Sequence, residues 1–214
     1  MMNTRLFVSL LALSAAAHGK TFEITGLPHG WQAEISVRDC TEAACRGPAV
    51  IRLSGNGFRQ RFESADTDFA PPADGSNRLP YLHSPLTVGD FNFDGLPDVA
   101  VQNGNKGLYR SPSHDVYLQN TAKHFVFSQD FSDLTLLGMG LFQTDAARKV
   151  LITDARVGCC VHLQEEWAVL PDGKLQNIRR TTRDATTPGR LEITEETWEN
   201  GRWQSRTRHE TTTQ

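Results

Sequence analysis

The sequence lacks the motifs of the common hydrolases and nucleotide-binding enzymes. It contains no G-x-S-x-G nucleophile elbow, no H-E-x-x-H zinc pair and no glycine-rich phosphate loop. Its histidines are scattered without the spacing of metal ligands. The acidic pairs Glu165-Glu166 and Glu195-Glu196 stand in alternating segments, where neighbouring side chains face opposite ways. We therefore expect a binding protein without catalytic residues rather than an enzyme.

Neither a strong net charge nor a block of like charge is present. The 22 basic and 25 acidic residues give a formal net charge of -3, so nothing indicates a nucleic-acid partner or a membrane surface. Hydrophobic residues make up 38% and charged residues 22%, which is typical of a folded globular protein. The 214 residues are enough for one good-sized domain or two small ones.

The apolar run near the start is too short to cross a membrane. It covers residues 6–17, about a dozen residues, whereas a spanning helix needs about 20. It follows Arg5 and leads into small residues, the pattern of a secretory signal peptide. We expect a signal peptide at residues 1–19 and a single β domain at residues 20–214. No cysteine stands near the expected cleavage sites, so we expect a periplasmic protein without a lipid anchor in the membrane.

Cysteine is scarce, and each of the four residues matters. An even number of cysteines in an exported chain predicts two disulfides, and C-x4-C with C-C is an uncommon spacing for zinc. Because Cys40 and Cys45 can close across a short loop, we favour Cys40–Cys45 with Cys159–Cys160. A bond between neighbouring residues requires a distorted turn, since their side chains point to opposite faces of a strand. The crossed pairings stay open.

Alternating apolar and polar residues dominate the chain after the apolar run, with turn signals between the segments. No long amphipathic helix is present, and only residues 131–137 are expected to form a helical turn or two. Residues 64–80 are polar and rich in turn formers, so they are the expected long loop. The predicted fold is mainly β, with antiparallel sheets arranged as a sandwich or like a propeller blade.

The segment TWENGRWQ is the clearest predicted hairpin. Asn200 and Gly201 suit a two-residue type I′ turn, in which both residues take a positive φ. This turn places Trp198 opposite Trp203, a favourable cross-strand pair.

The stretch DFNFDGLPD, residues 90–98, carries oxygen-bearing side chains at alternate positions. Calcium takes several oxygen ligands from a sharply turning loop, and Gly95 stands where the turn needs a residue without a side chain. We therefore predict an EF-hand-like calcium loop between strands, with Ca²⁺ as the cofactor. Val101 replaces the bidentate glutamate of the helical loop, so binding should be weak unless Asp115 completes the site. The alternative is a solvated acidic turn. The expected ligands are Asp90, Asn92, Asp94, the carbonyl of Leu96, and Asp98.

Two segments carry a resemblance to a known family: VGDFNFDGLPDVAVQNGNKGLYRSPSHDVYLQN and LGMGLFQTDAARKVLITDARVGCCVHLQEEWAV. They resemble the XAC2610-related family of exported bacterial β-proteins, which is similar to the i-type lysozyme inhibitors. That family is associated with periplasmic immunity against peptidoglycan-cleaving effectors of a type IV secretion system. The resemblance is strong over residues 85–175 and weak elsewhere. It implies an immunity protein that blocks the active-site cleft of a lysozyme-like peptidoglycan glycoside hydrolase.

The resemblance points to NGNKGLYRSPSH, residues 103–114, as the inhibitory loop. Tyr109 is the tyrosine of this stretch and the expected anchor, since interface hot spots favour Tyr, Trp and Arg. Arg110, Ser111 and Ser113 are expected to hydrogen-bond the catalytic carboxylates of the partner. The alternative is a surface tyrosine that covers its own loop.

The alternative function belongs to a different class. Residues 90–98 taken alone also resemble the FG-GAP repeats of propeller proteins. A calcium-stabilised adhesion or envelope-scaffold module without inhibitory activity is therefore the second hypothesis.

Overall fold

The computed structural model describes residues 19–55 and 57–211. Apart from Gly19, the expected signal peptide lies outside the described residues, and the single domain at residues 20–214 stays a prediction. In the described part of the chain, no helix combines the length and apolar character needed to cross a membrane. This part forms fifteen strands and one α-helix, so the mainly β prediction is confirmed.

The strands form three sheets. The first sheet contains β1 (Lys20–Thr25), β2 (Gln32–Cys40), β3 (Cys45–Gly55), β4 (Phe58–Phe69) and β5 (Arg78–Pro80). The second contains β6 (Leu86–Gly89), β7 (Asp98–Gln102), β8 (His114–Gln119) and β9 (Phe125–Ser128), and α1 (Gln129–Leu137) follows it. The third contains β10 (Gln143–Asp145), β11 (Val150–Val157), β12 (Val161–Val169), β13 (Leu175–Asp184), β14 (Arg190–Glu199) and β15 (Arg202–Thr211).

Neighbouring strands are almost all antiparallel. The order in the first sheet is β4-β3-β2-β1-β5, and its β1–β5 pair is parallel. The second and third sheets follow chain order from β6 to β9 and from β10 to β15. The expected antiparallel pairing is thus confirmed, but the described residues form three sheets where a sandwich has two.

A hydrophobic core lies between the first two sheets. The first sheet contributes inward-facing side chains that alternate with exposed polar ones, as the strand period of two requires. Val99 and Val101 of β7 and Phe125 of β9 pack against them. Each fully buried side chain of this size contributes about 1.5–3 kcal/mol to stability. Large, almost fully buried side chains of the first sheet include Phe22, Ile35, Ile51, Leu53, Phe62 and Leu79.

A second core lies on the opposite face of the second sheet. Ala100 of β7 and Val116 of β8 pack there with Phe131 and Leu134 of α1 and Leu151 of β11. All five residues of β7 are buried, because this strand carries a core on each face. The two loops that flank β7 are therefore attached to the most enclosed strand of the fold.

The two disulfides form in the favoured pairing, and no cysteine is free. Cys40–Cys45 joins the adjacent ends of β2 and β3. Cys159–Cys160 closes the turn between β11 and β12, where Gly158 has a φ of 70°. The bond between neighbouring residues thus lies in a turn and not within a strand.

Two further expectations meet different outcomes. The hairpin is confirmed, with positive φ at Asn200 and Gly201 and the Trp198 and Trp203 ring centroids 5.5 Å apart. The prediction of a long loop at residues 64–80 is wrong at both ends of that range. Strand β4 continues to Phe69, because this buried residue pairs with Cys45, and β5 occupies Arg78–Pro80.

Candidate interaction site

The aspartate loop, residues 90–98, joins β6 to β7 and is closed by its own side chains. The Asp90 carboxylate accepts the backbone N–H groups of Asp94, at 3.1 Å, and Gly95, at 3.0 Å. Asp94 accepts the backbone N–H of Leu96 at 2.8 Å. Gly95 has a φ of 85°, which costs glycine little because it has no Cβ. These bonds hold the carboxylates of Asp90 and Asp94 against a sharply turning backbone.

Asp98 differs from the other carboxylates because it is fully buried. Its Oδ1 accepts the backbone N–H of Gln119 and its Oδ2 accepts that of Phe91, each at 2.8 Å. Burial raises the pKa of Asp98 to about 6, and the charge of Asp94 adds to the increase, although both N–H groups oppose it. Asp98 therefore ties the aspartate loop to β8 as a structural bridge.

The donor chemistry of the aspartate loop fits calcium, which takes carboxylate, amide and carbonyl oxygens. The Asn92 amide lies beside Asp94 and donates to its Oδ2 at 2.8 Å. Among the described residues, no three or more His, Cys, Asp or Glu side chains are gathered as a metal site. Calcium and its ligand set therefore stay a prediction.

Asp115 lies outside the aspartate loop. It pairs with Val101, further along β7 than Asp98, and its Oδ2 accepts a hydrogen bond from Asn103 Nδ2 at 2.7 Å. Its carboxylate thus fixes the start of the next loop, and the structure does not bring it to the other expected ligands.

The tyrosine loop, residues 103–114, joins β7 to β8 and is closed by backbone hydrogen bonds. At its base, Asn103 N–H donates to the Ser113 carbonyl at 2.8 Å. At its tip, Gly107 N–H donates to the Ser111 carbonyl at 3.1 Å. A Cβ on Gly107 would lie 2.5 Å from Ser111 Oγ, so this close approach requires glycine. The loop is internally braced at both ends.

Tyr109 and Arg110 form the tip of the tyrosine loop in an unusual backbone conformation. Their φ values are 55° and 61°, in the left-handed region that side chains with a Cβ disfavour. Each such residue costs about 1–2 kcal/mol, and surrounding contacts must hold it in place.

Contacts to two distant segments hold this tip. Leu108 N–H and Ser111 Oγ both donate to the Gly138 carbonyl, at 3.1 Å and 3.2 Å. The Tyr109 hydroxyl accepts the Gly158 N–H at 2.8 Å, in the turn of the Cys159–Cys160 disulfide. The hydroxyl is therefore fixed, whereas the Tyr109 side chain stays 64% exposed.

An exposed pocket forms where the tyrosine loop meets the disulfide turn. We call its lining residues the tyrosine patch. Met139 is 45% exposed, so the patch presents aromatic, thioether and disulfide groups together. The residues of the tyrosine patch are Tyr109, Met139, Arg156, Gly158 and Cys159.

The three polar residues expected to contact the partner have different surroundings. Arg110 is exposed at the loop tip. Ser111 is half-buried and donates to Gly138. Ser113 is 3% exposed and donates to the Asn103 carbonyl at 3.0 Å, so it closes the loop base and is not available to a partner. The expected role of Ser113 is therefore corrected.

His114 is the last residue of the tyrosine loop and the first of β8, so it provides a test of the loop base. Burial lowers the pKa of His114 to about 4 from 6.5, and its Nδ1 has no hydrogen-bond partner among the residues that the structure describes. Between pH 4 and pH 6.5, His114 is protonated in the unfolded chain but stays neutral in the folded chain. Stability should thus fall by up to about 3 kcal/mol as pH drops from about 6.5 to about 4.

Urea unfolding across this pH range measures the effect. The His114→Gln variant should lose this part of the pH dependence, whereas the exposed control His124→Gln should keep it. An unchanged profile in His114→Gln would assign the dependence to other groups.

Sequence reasoning missed the proximity of the disulfide turn to the tyrosine loop. Tyr109 and Gly158 are separated by 49 positions, and no local pattern relates residues so far apart. Met139 and Arg156 carried no sequence signal for a shared site.

Comparison with known proteins identifies one informative likeness. No protein-family model and no curated protein matches the sequence. A solved structure of a Xanthomonas type IV secretion system related protein has a TM-score of 0.68 and 23% identity. The match covers 91% of this chain and 95% of that chain. The two chains share a fold. The expected resemblance is thus supported at the level of fold, and inhibition and immunity are matters for proposal.

Proposed function

We propose that this chain is a periplasmic immunity protein that inhibits a lysozyme-like peptidoglycan glycoside hydrolase by blocking its active-site cleft. The observation that carries the proposal is the exposed ring of Tyr109 on a braced loop. The chain also shares its fold with a Xanthomonas type IV secretion system related protein, which agrees with a role connected with such a system. The two disulfides agree with an oxidising compartment such as the periplasm.

The geometry of the tyrosine loop suits insertion into a cleft. Binding costs free energy when loops and side chains must be ordered, and a pre-ordered loop avoids much of that cost. Here the Tyr109 hydroxyl is already bonded to Gly158, and the loop tip is bonded to Gly138. The Tyr109 ring can then bury apolar surface in the partner without further ordering.

Arg110 supplies the charge that this partner class requires. Glycoside hydrolases of this kind use a pair of carboxylates in the cleft. The exposed Arg110 guanidinium is next to Tyr109 and can form bidentate hydrogen bonds with one carboxylate. We propose that Arg110 pairs with a catalytic carboxylate while Tyr109 fills an adjacent sugar subsite.

The test is inhibition by the purified protein. Cell-wall lysis would be measured with muramidases, glucosaminidases and lytic transglycosylases, each with and without the protein. Dose-dependent inhibition of one class supports the proposal. Failure against every class would favour the adhesion or envelope-scaffold function.

We further propose that the aspartate loop binds calcium as a structural element. Asp90, Asn92, Asp94, the Leu96 carbonyl and Asp98 would hold the ion. Each Asp98 oxygen already accepts an N–H group, so this residue would use its remaining lone pairs. The ion would supply positive charge to a loop that carries three carboxylates.

Calcium should raise the thermal stability of the wild type. For a dissociation constant of about 10⁻⁴–10⁻³ M, about 10 mM calcium should stabilise the fold by about 1.4–2.7 kcal/mol. The Asp94→Ala variant should lose this gain, because a ligand oxygen and a negative charge are removed together. Unfolding in calcium and in chelator measures both.

Asp74→Ala is the matched control for this experiment. Asp74 accepts the N–H of Ser76 at 2.9 Å, as Asp94 accepts that of Leu96, but it lies outside the aspartate loop. Asp74→Ala should keep the full calcium response. A wild type whose unfolding ignores both calcium and chelator would make the loop an acidic turn only.

A further inference from the structure

A row of basic side chains crosses the third sheet. Strand register places Arg156 of β11 opposite His162 of β12, and His162 opposite Arg183 of β13. Arg183 pairs with Ile193 of β14, which pairs with Arg208 of β15. We call Arg156, His162, Arg183 and Arg208 the basic row. All four are exposed, and no acidic residue occupies the row.

The arginines of the basic row differ in how far nearby acids balance their charge. Arg183 faces His162 on one side and the apolar Ile193 on the other, so no acidic residue lies directly across from it. Arg183 makes no side-chain hydrogen bond or ion pair among the described residues. Arg208 is paired, because its Nη2 lies 3.5 Å from Glu210 and its Nη1 lies 3.8 Å from Glu195. The uncompensated positive charge of the row is therefore at Arg156 and Arg183, which have no ion pair among the described residues.

The basic row meets the tyrosine patch at Arg156. This residue lines the pocket with Tyr109 and Cys159, and its Nη2 donates to the Cys159 carbonyl at 3.1 Å. With about 4.8 Å between strands, four steps from β11 to β15 extend the row about 19 Å from the patch. This length fits within a protein interface of standard size, which buries about 800 Å² on each partner.

We propose that the basic row and the tyrosine patch form one continuous interaction surface, in which the row receives an acidic surface beside the cleft of the inhibited hydrolase. This inference rests on the proposed function, and it specifies in addition that the partner's surface beside the cleft is negatively charged. The whole chain has a net charge of -3, whereas the basic row is locally positive. This positive surface would orient an acidic partner as it approaches.

A protein partner fits this surface better than a membrane. The row leads to a single fixed aromatic ring, the arrangement of a central anchor with a charged rim. Rim charges act mainly on the association rate, whereas a buried anchor acts mainly on dissociation. The two parts of the surface therefore have separable kinetic effects.

The test uses Arg183→Glu, because this exposed side chain has no partner whose loss would complicate folding. Association with the hydrolase that the wild type inhibits should be about tenfold slower at low salt, and the difference should shrink at high salt. Arg59→Glu is the matched control: Arg59 is exposed on the first sheet and has no ion pair among the described residues. Equal association rates for the two variants would overturn the proposal.

A second measurement separates this proposal from the proposed function. Fluorescence anisotropy of a labelled poly-glutamate peptide reports binding of an acidic chain without any hydrolase. Weaker peptide binding by Arg183→Glu than by Arg59→Glu supports an acidic-protein surface even if the wild type inhibits no hydrolase. Loss of binding to phosphatidylglycerol vesicles in Arg183→Glu, with peptide binding unchanged, would identify a membrane surface and overturn the proposal.

Discussion

Replacing Tyr109 with alanine should weaken inhibition of the target hydrolase about thirtyfold or more. A buried aromatic hot spot contributes about 2 kcal/mol or more to binding, and each 1.4 kcal/mol is about a factor of ten. The loss should be mainly in the dissociation rate. The inhibition constant and the melting temperature of the variant would be measured together.

Tyr109→Phe is the control that separates the ring from its hydroxyl. It keeps the exposed ring but removes the acceptor for the Gly158 N–H. If the ring is the anchor, Tyr109→Phe should inhibit much better than Tyr109→Ala. If both variants fail equally, the hydroxyl acts by placing the loop. Full inhibition by folded Tyr109→Ala would remove Tyr109 from the interface.

Asp98→Ala should destabilise the fold by about 3 kcal/mol or more, even in chelator. The substitution leaves the N–H groups of Phe91 and Gln119 without their acceptor, and hydrogen bonds to a charged group contribute about 1.5–3 kcal/mol each. Relief of a buried charge offsets part of this cost. Urea unfolding in excess chelator measures the effect without calcium.

Two further variants test whether the loss of stability comes from the hydrogen bonds by which Asp98 joins the aspartate loop to β8. Asp98→Asn keeps one acceptor oxygen at nearly the same shape, so it should cost less than Asp98→Ala. Asp94→Ala lies in the same loop but is exposed, and in chelator it should cost little. If Asp98→Ala loses stability only when calcium is present, Asp98 is a metal ligand without the bridging role.

The alternation of apolar and polar residues predicted the strands well, because it follows directly from which face of a strand is buried. In β1 and β2, buried Phe22 and Ile35 alternate with exposed Glu23 and Glu34, so the strands could be read from the pattern. The Asn200-Gly201 hairpin was readable because its turn requires local conformations. The end of β4 could not be predicted in this way. Its polar residues up to Phe69 form a strand because they pair with β3, and no local pattern indicates that pairing.

The candidate site was only partly predictable for the same reason. Local spacing singled out the aspartate loop, and the family resemblance singled out Tyr109. Neither indicated that Asp98 would be buried between two backbone N–H groups, or that Ser113 would close the base of its own loop. Burial depends on the elements that pack around a residue, and these come from distant parts of the chain.

The sequence by itself determined the β class, the hairpin turn and the oxygen-rich chemistry of residues 90–98, and it favoured the cysteine pairing without excluding the others. These depend on the conformation and chemistry of residues close in the chain. Only the tertiary structure placed the Cys159–Cys160 turn beside Tyr109 and aligned Arg156, His162 and Arg183 across three strands. Such contacts arise from strand register and sheet packing, which are decided by the free energy of the whole fold rather than by any local pattern.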